Sequence, residues 1–222
     1  MLAELANKFR MARYTGPKEK IERRLGEKLF LKGERSYSPK AAMVRKPYPP
    51  GVHGRRLKNR KFSEYGLQLI AKQKVRNIYR ILERQFRRYT DEAVKSRGDS
   101  GEALVQGLER RLDNVVFRLG FSDARDTARQ LVSHSHFLVN DKHINIPSFK
   151  VRVGDVVKVK PQNLKNKYFS SFLPRYLKKY QPPSWLEVDK ETFIGKVKNL
   201  PSLAESGVQH KDVQAIIEFY SR

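Results

Sequence analysis

The sequence predicts an α+β protein with a basic N-terminal arm, a helical segment and a small α+β module. Three patterns lead to this prediction. Pro and Gly interrupt residues 1–61, apolar residues recur at helical spacing between residues 73 and 133, and short strand-like segments follow in residues 137–160. The fold class therefore combines helices with a short antiparallel sheet.

Positive charge dominates the composition. The 222 residues include 47 Lys or Arg against 23 Asp or Glu, a formal net charge of +24. Such an excess repels itself in a compact fold and favours a polyanionic partner, most commonly nucleic acid. The chain has no cysteine, which excludes disulfides, thiolate nucleophiles and cysteine-ligated zinc. It also lacks an apolar run of about 18 residues and a secretory signal, so we expect a soluble intracellular protein with no membrane partner.

The first 61 residues form the predicted arm and hold 18 basic against 5 acidic side chains. The sequence PYPPG at 47–51 disfavours long helices and paired strands, so we expect an extended arm that takes its shape against a partner. A disordered, solubilising tail is the alternative, although Tyr37 and Tyr48 beside cations could stack on bases or anchor the arm. The basic cluster of the arm comprises Arg55, Arg56, Lys58, Arg60 and Lys61.

Residues 73–89 have the apolar periodicity of one helix, with Val75, Tyr79 and Phe86 within an arc of roughly 100°. Five arginines fall in a separate arc of roughly 80°. A solvated helix surface would explain such a run, but little counter-charge beyond Glu83 accompanies it, which favours phosphate binding. The predicted arginine set is Arg76, Arg80, Arg84, Arg87 and Arg88.

A polar segment at 90–103 suggests a boundary, after which the apolar spacing predicts a helix over 106–119 that Gly120 ends. Ser122 or Asp123 can cap the next helix, which is predicted to reach about residue 133. Arg118, Arg125 and Arg129 would converge between these two helices as a phosphate clamp.

Strand patterns complete the module. Residues 137–139 and 143–146 flank Asn140-Asp141 and predict a hairpin, because both turn residues tolerate left-handed backbone. The Val/Lys alternation of residues 156–160 predicts an edge strand with one wet face.

Two segments, 108–121 and 123–140, resemble a small RNA-binding module first described in a ribosomal protein. The matching positions are Arg111-Leu112-Asp113, Arg118, Gly120, Arg125, Ala128-Arg129 and Val139-Asn140. Flanking motifs resemble the bacterial-type family of small-ribosomal-subunit protein four. These motifs are MARYTGP at 11–17, PGVHG at 50–54, YGLQL at 65–69, KQKVR at 72–76, LERQF at 82–86, WLEVD at 185–189 and IEFYS at 217–221.

The resemblance implies that the module is inserted into a mainly helical domain. The predicted divisions are an arm at 1–61, a first helical part at 62–107, the module at 108–164 and a segment at 165–222 that completes the helical domain against 62–107. The aromatic residues of that last segment are then expected in packing rather than in base stacking. They are Tyr168, Phe169, Phe172, Tyr176 and Trp185.

The resemblance also implies a function in the cytoplasmic ribosome. It predicts a non-enzymatic, primary rRNA-binding protein that joins a helical junction in the 5′ domain of small-subunit rRNA and nucleates assembly of the subunit body. It further predicts contact with small-subunit protein five and other subunit proteins, proximity to mRNA at the channel through which it enters, a share in decoding accuracy, and repression of its own operon.

This sequence departs from the family pattern in three places. Residues 1–10 extend beyond the usual start, and Asn140-Asp141 replaces the common Asn-Gly turn. Some relatives also bind zinc through four cysteines just after the Tyr-Thr-Gly-Pro motif, where this chain has Glu19 and Glu22, so neither metal nor cofactor is expected.

The predicted mechanism is recognition of RNA shape and phosphates by a rigid set of arginines. Gln73, Asn114 and His134 could add hydrogen bonds to sugars or bases. The predicted rRNA-binding residues are Arg13, Tyr14, Arg55, Arg56, Lys58, Arg60, Lys61, Lys72, Gln73, Arg76, Arg80, Arg84, Arg87, Arg88, Arg110, Arg111, Asn114, Arg118, Arg125, Arg129, His134 and Asn140.

Two other classes of protein agree less well with the sequence. An enzyme is disfavoured because the sequence has no P-loop, no Gly-rich dinucleotide turn and no cysteine nucleophile, and His134 with His136 lacks nearby carboxylates for a metal site. A free-standing RNA-binding regulator would need neither the arm nor the long C-terminal segment.

Overall fold

The structure, a computed structural model, describes residues 14–57 and 61–221. The N-terminal extension and the predicted site residues Arg13, Lys58 and Arg60 lie outside the described residues. The helices are α1 (Lys18–Leu25), α2 (Ala42–Arg45), α3 (Glu64–Ile78), α4 (Glu83–Val94), α5 (Ser100–Glu109), α6 (Leu112–Arg118), α7 (Arg125–Ser133), α8 (Leu173–Lys179) and α9 (His210–Tyr220). The α+β class is confirmed. No helix among the described residues is long and apolar enough to cross a membrane.

The strands are β1 (Phe137–Val139), β2 (Lys142–His143), β3 (Val156–Val159), β4 (Leu186–Asp189) and β5 (Ile194–Val197). They form an antiparallel sheet in the order β2-β1-β3-β5-β4. The turn prediction is confirmed, since Asn140 and Asp141 have φ of 48° and 64°. The prediction that β3 is an edge strand is wrong, because the β4–β5 hairpin pairs with its outer side. The second hairpin strand is also shorter than predicted.

Two hydrophobic cores lie side by side. The first packs α6 and α7 against the sheet and includes Phe121, Phe137, Phe169 and Trp185. The second packs α3, α4, α5 and α9 together around Phe86. The C-terminal segment therefore does not complete only the helical part. Its α8 and β4–β5 extend the module, and only its last part, including α9, packs on the helices.

The helix predicted over 73–89 is two helices. After α3 ends at Ile78, Arg80 adopts a left-handed φ of 55°, and α4 begins at Glu83. Nonlocal bonds impose the break, because Arg80 binds Asp126 with its Nε and the Tyr14 carbonyl with its Nη2. The five arginines consequently do not share one helix face.

The helix predicted over 106–119 is also interrupted. Here Arg111 leaves the helical path, with φ −67° and ψ 137°, and the backbone of residues 110–113 pairs with 147–151. The following helix, α7, begins at Arg125 after Ala124, without a side-chain cap, so the predicted cap at Ser122 or Asp123 is wrong. The Ser122 hydroxyl instead donates to the Ala124 carbonyl and accepts from the Ala124 N–H.

The prediction of an extended arm is wrong for residues 18–45. Buried Glu22 on α1 accepts hydrogen bonds from the N–H groups of Leu29 and Leu31 at 3.2 and 3.1 Å, which folds the chain back on this helix. Arg23 similarly binds the carbonyls of Lys46 and Tyr48, each at 3.0 Å. These internal bonds give the arm a folded form without an external partner, and Glu22 stands where the resemblance implies cysteines in some relatives.

Candidate nucleic-acid interface

Three of the predicted arginines are exposed together on α4. Its buried side contributes Phe86 to the helical core, while Arg84, Arg87 and Arg88 project from the opposite side, three and four residues apart. We call these three the arginine face. Arg88 pairs with Glu92 at 3.0 Å but keeps 82% of its side chain exposed, so solvent screens this pair and the guanidinium remains accessible.

A second cationic surface lies in the groove between α1 and α3. Its lining includes Tyr14, Lys20, Arg24, Gln73 and Arg76. Lys20 and Arg24 lie one turn apart on α1, whereas α3 supplies the Gln73 amide and Arg76, whose guanidinium pairs with Glu83. This groove can accept a phosphate oxygen and hydrogen-bond an adjacent sugar or base edge.

Lys72, a predicted rRNA-binding residue, is buried. Its Nζ lies 2.6 Å from Glu83 and 4.5 Å from the centre of the Phe219 ring. Arg76 and Tyr220 bind the same carboxylate at 2.9 and 2.6 Å. Burial would raise the pKa of Glu83, but the hydrogen bonds from Lys72 and Tyr220 and both cations lower it. This cluster connects α3, α4 and the C-terminal helix.

A buried network surrounds Glu109, where the two cores meet. The carboxylate accepts hydrogen bonds from Tyr79 Oη at 2.6 Å, Asn114 Nδ2 at 2.8 Å, and Arg118 Nε and Nη2 at 2.9 Å each. Arg125 donates to Asn114 and stacks over the rings of Tyr79 and Phe117. Burial would raise the pKa of Glu109, but the neighbouring guanidinium groups and hydrogen bonds lower it below its usual value.

Arg111 is enclosed as well. Its side chain is 1% exposed and forms two hydrogen bonds with Asp113, at 3.0 and 2.7 Å, and one with Tyr89 at 3.0 Å. Arg129 approaches the same carboxylate at 3.6 Å. Burial lowers the pKa of Arg111, but the Asp113 carboxylate more than offsets this effect.

The three residues of the predicted phosphate clamp, Arg118, Arg125 and Arg129, all have partners within the chain. The structure directs all three toward internal acceptors: Glu109, Asn114 and Asp113 respectively. The physical reason is that burying a guanidinium requires a nearby carboxylate or carbonyl, and these positions face the junction of the two cores. Arg80, which is 4% exposed at its side chain, belongs to the same class, because its partner is Asp126.

The other predicted residues have mixed environments. Arg55, Arg56, Lys61, His134 and Asn140 are exposed, while Arg110 is half-buried with its Nε bound to the Val151 carbonyl. Asn140 already serves the fold, since its side chain bonds Asp155 and the Val156 N–H. The Arg55 guanidinium lies over the Tyr48 ring, and their hydrogen bond lowers the pKa of Tyr48.

Comparison with known proteins decides the family. The family model described as "Ribosomal protein S4/S9 N-terminal domain" matches residues 13–109, and the "S4 domain" model matches residues 110–157. Proteins described as small ribosomal subunit protein uS4 are 50% identical in Caldicellulosiruptor saccharolyticus, 52% in Thermosipho melanesiensis and 50% in Thermotoga maritima. Each match covers 212 residues, 96% of this chain and 100% of the relative. The chain belongs to the uS4 family of small ribosomal subunit proteins.

Membership confirms the resemblance found in the sequence and makes the chain a structural component of the small subunit in the cytoplasmic ribosome. The boundary between the two family models lies at residue 110, beside Glu109. The buried network thus joins the N-terminal domain to the S4 domain. Among residues 14–57 and 61–221, no three His, Asp or Glu side chains group as metal ligands.

Sequence reasoning missed several candidate residues in this uS4 chain. Lys20 and Arg24 lie four residues apart on α1 and could have been found by helical spacing, had the arm not been predicted as extended. The central acceptor Glu109 gave no local signal, because its partners Tyr79 and Arg118 are 30 and 9 residues away.

Proposed function

We propose that the protein binds a helical junction in the 5′ domain of small-subunit rRNA as a primary binder. The arginine face of α4 and the groove between α1 and α3 contact phosphates. The Glu109 network holds the helical part and the S4 domain in one arrangement, so that cations on both can meet RNA helices of fixed relative orientation.

The main support for this proposal is that the predicted arginines fall into two classes, exposed and buried. Arg84, Arg87 and Arg88 are exposed on one side of a helix whose other side is core. Arg111 and Arg118 are held by buried carboxylates. Fixed exposed cations match crowded phosphates without the entropy cost of ordering a flexible tail, which supports recognition of a folded RNA.

The proposal also includes the more specific functions that the family resemblance implies. The protein nucleates assembly of the subunit body, contacts small-subunit protein five and other subunit proteins, lies near mRNA where it enters, and contributes to decoding accuracy. The exposed basic surfaces would also allow it to bind its own mRNA as a translational repressor. Its role is non-enzymatic. The full-length match to ribosomal relatives supports this reading over a free-standing regulator.

Salt-dependent binding tests the proposal. The full chain is titrated with the 5′ domain of small-subunit rRNA and with an unstructured RNA of equal length. We expect a preference of about a thousandfold or more for the folded domain at about 0.2 M salt. Equal affinities that fall together as salt rises would refute junction recognition and leave nonspecific charge attraction.

A further inference from the structure

One groove of the structure contains none of the residues assigned to the proposed junction contacts. It lies between the 3₁₀ turn Gly33–Tyr37 and α8, and its volume is about 690 Å³, within the range of roughly 300–1,000 Å³ typical of ligand sites. The lining combines aromatic rings with Arg175, Lys178 and Lys179.

One wall of the groove is a column of rings, Phe172, Tyr176 and Tyr180, spaced four residues apart along α8 and its flanks. Successive ring centres are 5.9 and 5.6 Å apart, with interplanar angles of 11° and 24°. We call this wall the aromatic column. Its far end is fixed, because Tyr180 Oη donates to the Arg118 carbonyl at 3.1 Å. The wall is therefore preorganised.

The opposite wall is Tyr37, whose ring has one supported and one open side. Phe30 stacks on it at 4.9 Å with an interplanar angle of 25°. Despite that contact, Tyr37 remains 76% exposed. A large aromatic side chain so exposed contributes little to the core, and its supported orientation makes it a platform on which a planar group can stack.

The charge of the groove selects the kind of planar group. Arg175, Lys178 and Lys179 line it against a single carboxylate, Glu34. Aromatic platforms beside cations are the combination that binds unpaired nucleotides, where rings stack on bases and cations neutralise phosphates. An acidic peptide would satisfy the cations but would leave the exposed Tyr37 face without a planar partner.

We propose that this groove binds a single-stranded RNA segment, with an unpaired base stacked on Tyr37 and its phosphates beside Arg175, Lys178 and Lys179. The inference rests on the proposed function in that it assigns a third RNA contact to the same protein. The two contacts differ in their targets, because the arginine face binds phosphates of folded RNA and this groove binds unstacked bases.

Photocrosslinking of the full chain locates the contact. A single-stranded RNA decamer carrying 5-iodouridine is bound at about 0.15 M salt, irradiated, and the crosslinked peptide identified by mass spectrometry. We expect crosslinks at residues 33–37 or 172–180, and none from the same strand in a duplex. Crosslinks confined to the arginine face would overturn the proposal.

Two variants distinguish base stacking from an effect of side-chain size. Tyr37→Leu should lower the crosslinked fraction at the groove about tenfold, as expected for the loss of one stacked base, whereas Tyr37→Phe should retain it. Tyr37→Phe should melt at the wild-type temperature and Tyr37→Leu only slightly below it, because the side chain is largely exposed but stacks on Phe30. An unchanged yield in Tyr37→Leu would refute the base platform. So would displacement of the RNA by polyglutamate of equal charge as readily as by unlabelled RNA.

The 5′-domain rRNA titration on the same samples keeps the two proposals distinct. Wild-type preference for the junction with no effect of Tyr37→Leu on the crosslink overturns only the groove. Loss of the junction preference overturns only the proposed junction function, because the contrast between the Leu and Phe variants still decides whether the groove stacks a base.

Discussion

Replacing Glu109 with Gln should destabilise the whole chain, because this carboxylate is the shared acceptor between the two cores. It accepts four hydrogen bonds, two of them from the Arg118 guanidinium. The amide retains one acceptor oxygen and presents an N–H₂ group to donors. Whichever oxygen becomes the amide nitrogen, one bond from Arg118 and one bond from Tyr79 or Asn114 are lost. Each is a bond to a charged acceptor at about 1.5–3 kcal/mol, which agrees with about 3–5 kcal/mol for breaking a buried ion pair.

Urea unfolding followed by the fluorescence of Trp185 measures this loss. This residue is the single tryptophan and is 2% exposed in the core that packs α6 and α7 against the sheet. Circular dichroism reports the helices independently, and coincident transitions would justify a two-state free energy. Glu102→Gln, on the exposed side of the same helix, is the matched control and should change stability by less than about 1 kcal/mol.

Acid provides a second readout of the same group. The folded pKa of Glu109 lies below its ordinary value of 4.5, so the unfolded chain takes up the proton first as pH falls. Its stabilising contribution is complete above the unfolded pKa and disappears as pH drops through the folded pKa. The difference between wild type and Glu109→Gln should therefore shrink in acid. A neutral-pH difference below about 1 kcal/mol would refute the reasoning, since a buried pair costs more to break.

Two further predictions concern the arm and the sheet. Glu22→Ala leaves the N–H groups of Leu29 and Leu31 without their buried acceptor, so hydrogen exchange at these amides should accelerate while the Trp185 transition is unchanged. Retained protection would contradict the proposed fixation of the arm by Glu22. Gly195→Ala places a Cβ against three side-chain atoms of fully buried Leu119, the farthest 3.0 Å away, and should cost about 1–3 kcal/mol in urea unfolding. A wild-type midpoint would show that Leu119 can move at no cost.

The sequence patterns correctly predicted those structural features that depend on neighbouring residues. The hairpin turn follows from two adjacent residues that tolerate left-handed backbone. The arginine face follows from periodicity, because burying Phe86 on one side of α4 directs Arg84 and Arg87 to the other. The family resemblance depended on several motifs in the right order, and the similarity to uS4 relatives extends over 96% of the chain.

The failures share a nonlocal cause. No periodicity could place a helix break at Arg80, since its partner Asp126 is 46 residues away. The internal partners of Arg118 and Arg125 also gave no local signal, because Glu109 and Asn114 are 9 and 11 residues away. The sheet position of β3 likewise depended on strands from the C-terminal segment.

The arginine face is the central claim, and the salt dependence of rRNA binding tests it most directly. Each phosphate contact contributes about 0.7–0.9 to the slope of log affinity against log salt. The triple variant Arg84→Gln, Arg87→Gln, Arg88→Gln should therefore lose about two to three from the wild-type slope on 5′-domain rRNA, and the corresponding Lys triple should keep it. A Gln triple with the wild-type slope and affinity would show that these arginines are a solvated surface and do not contact RNA.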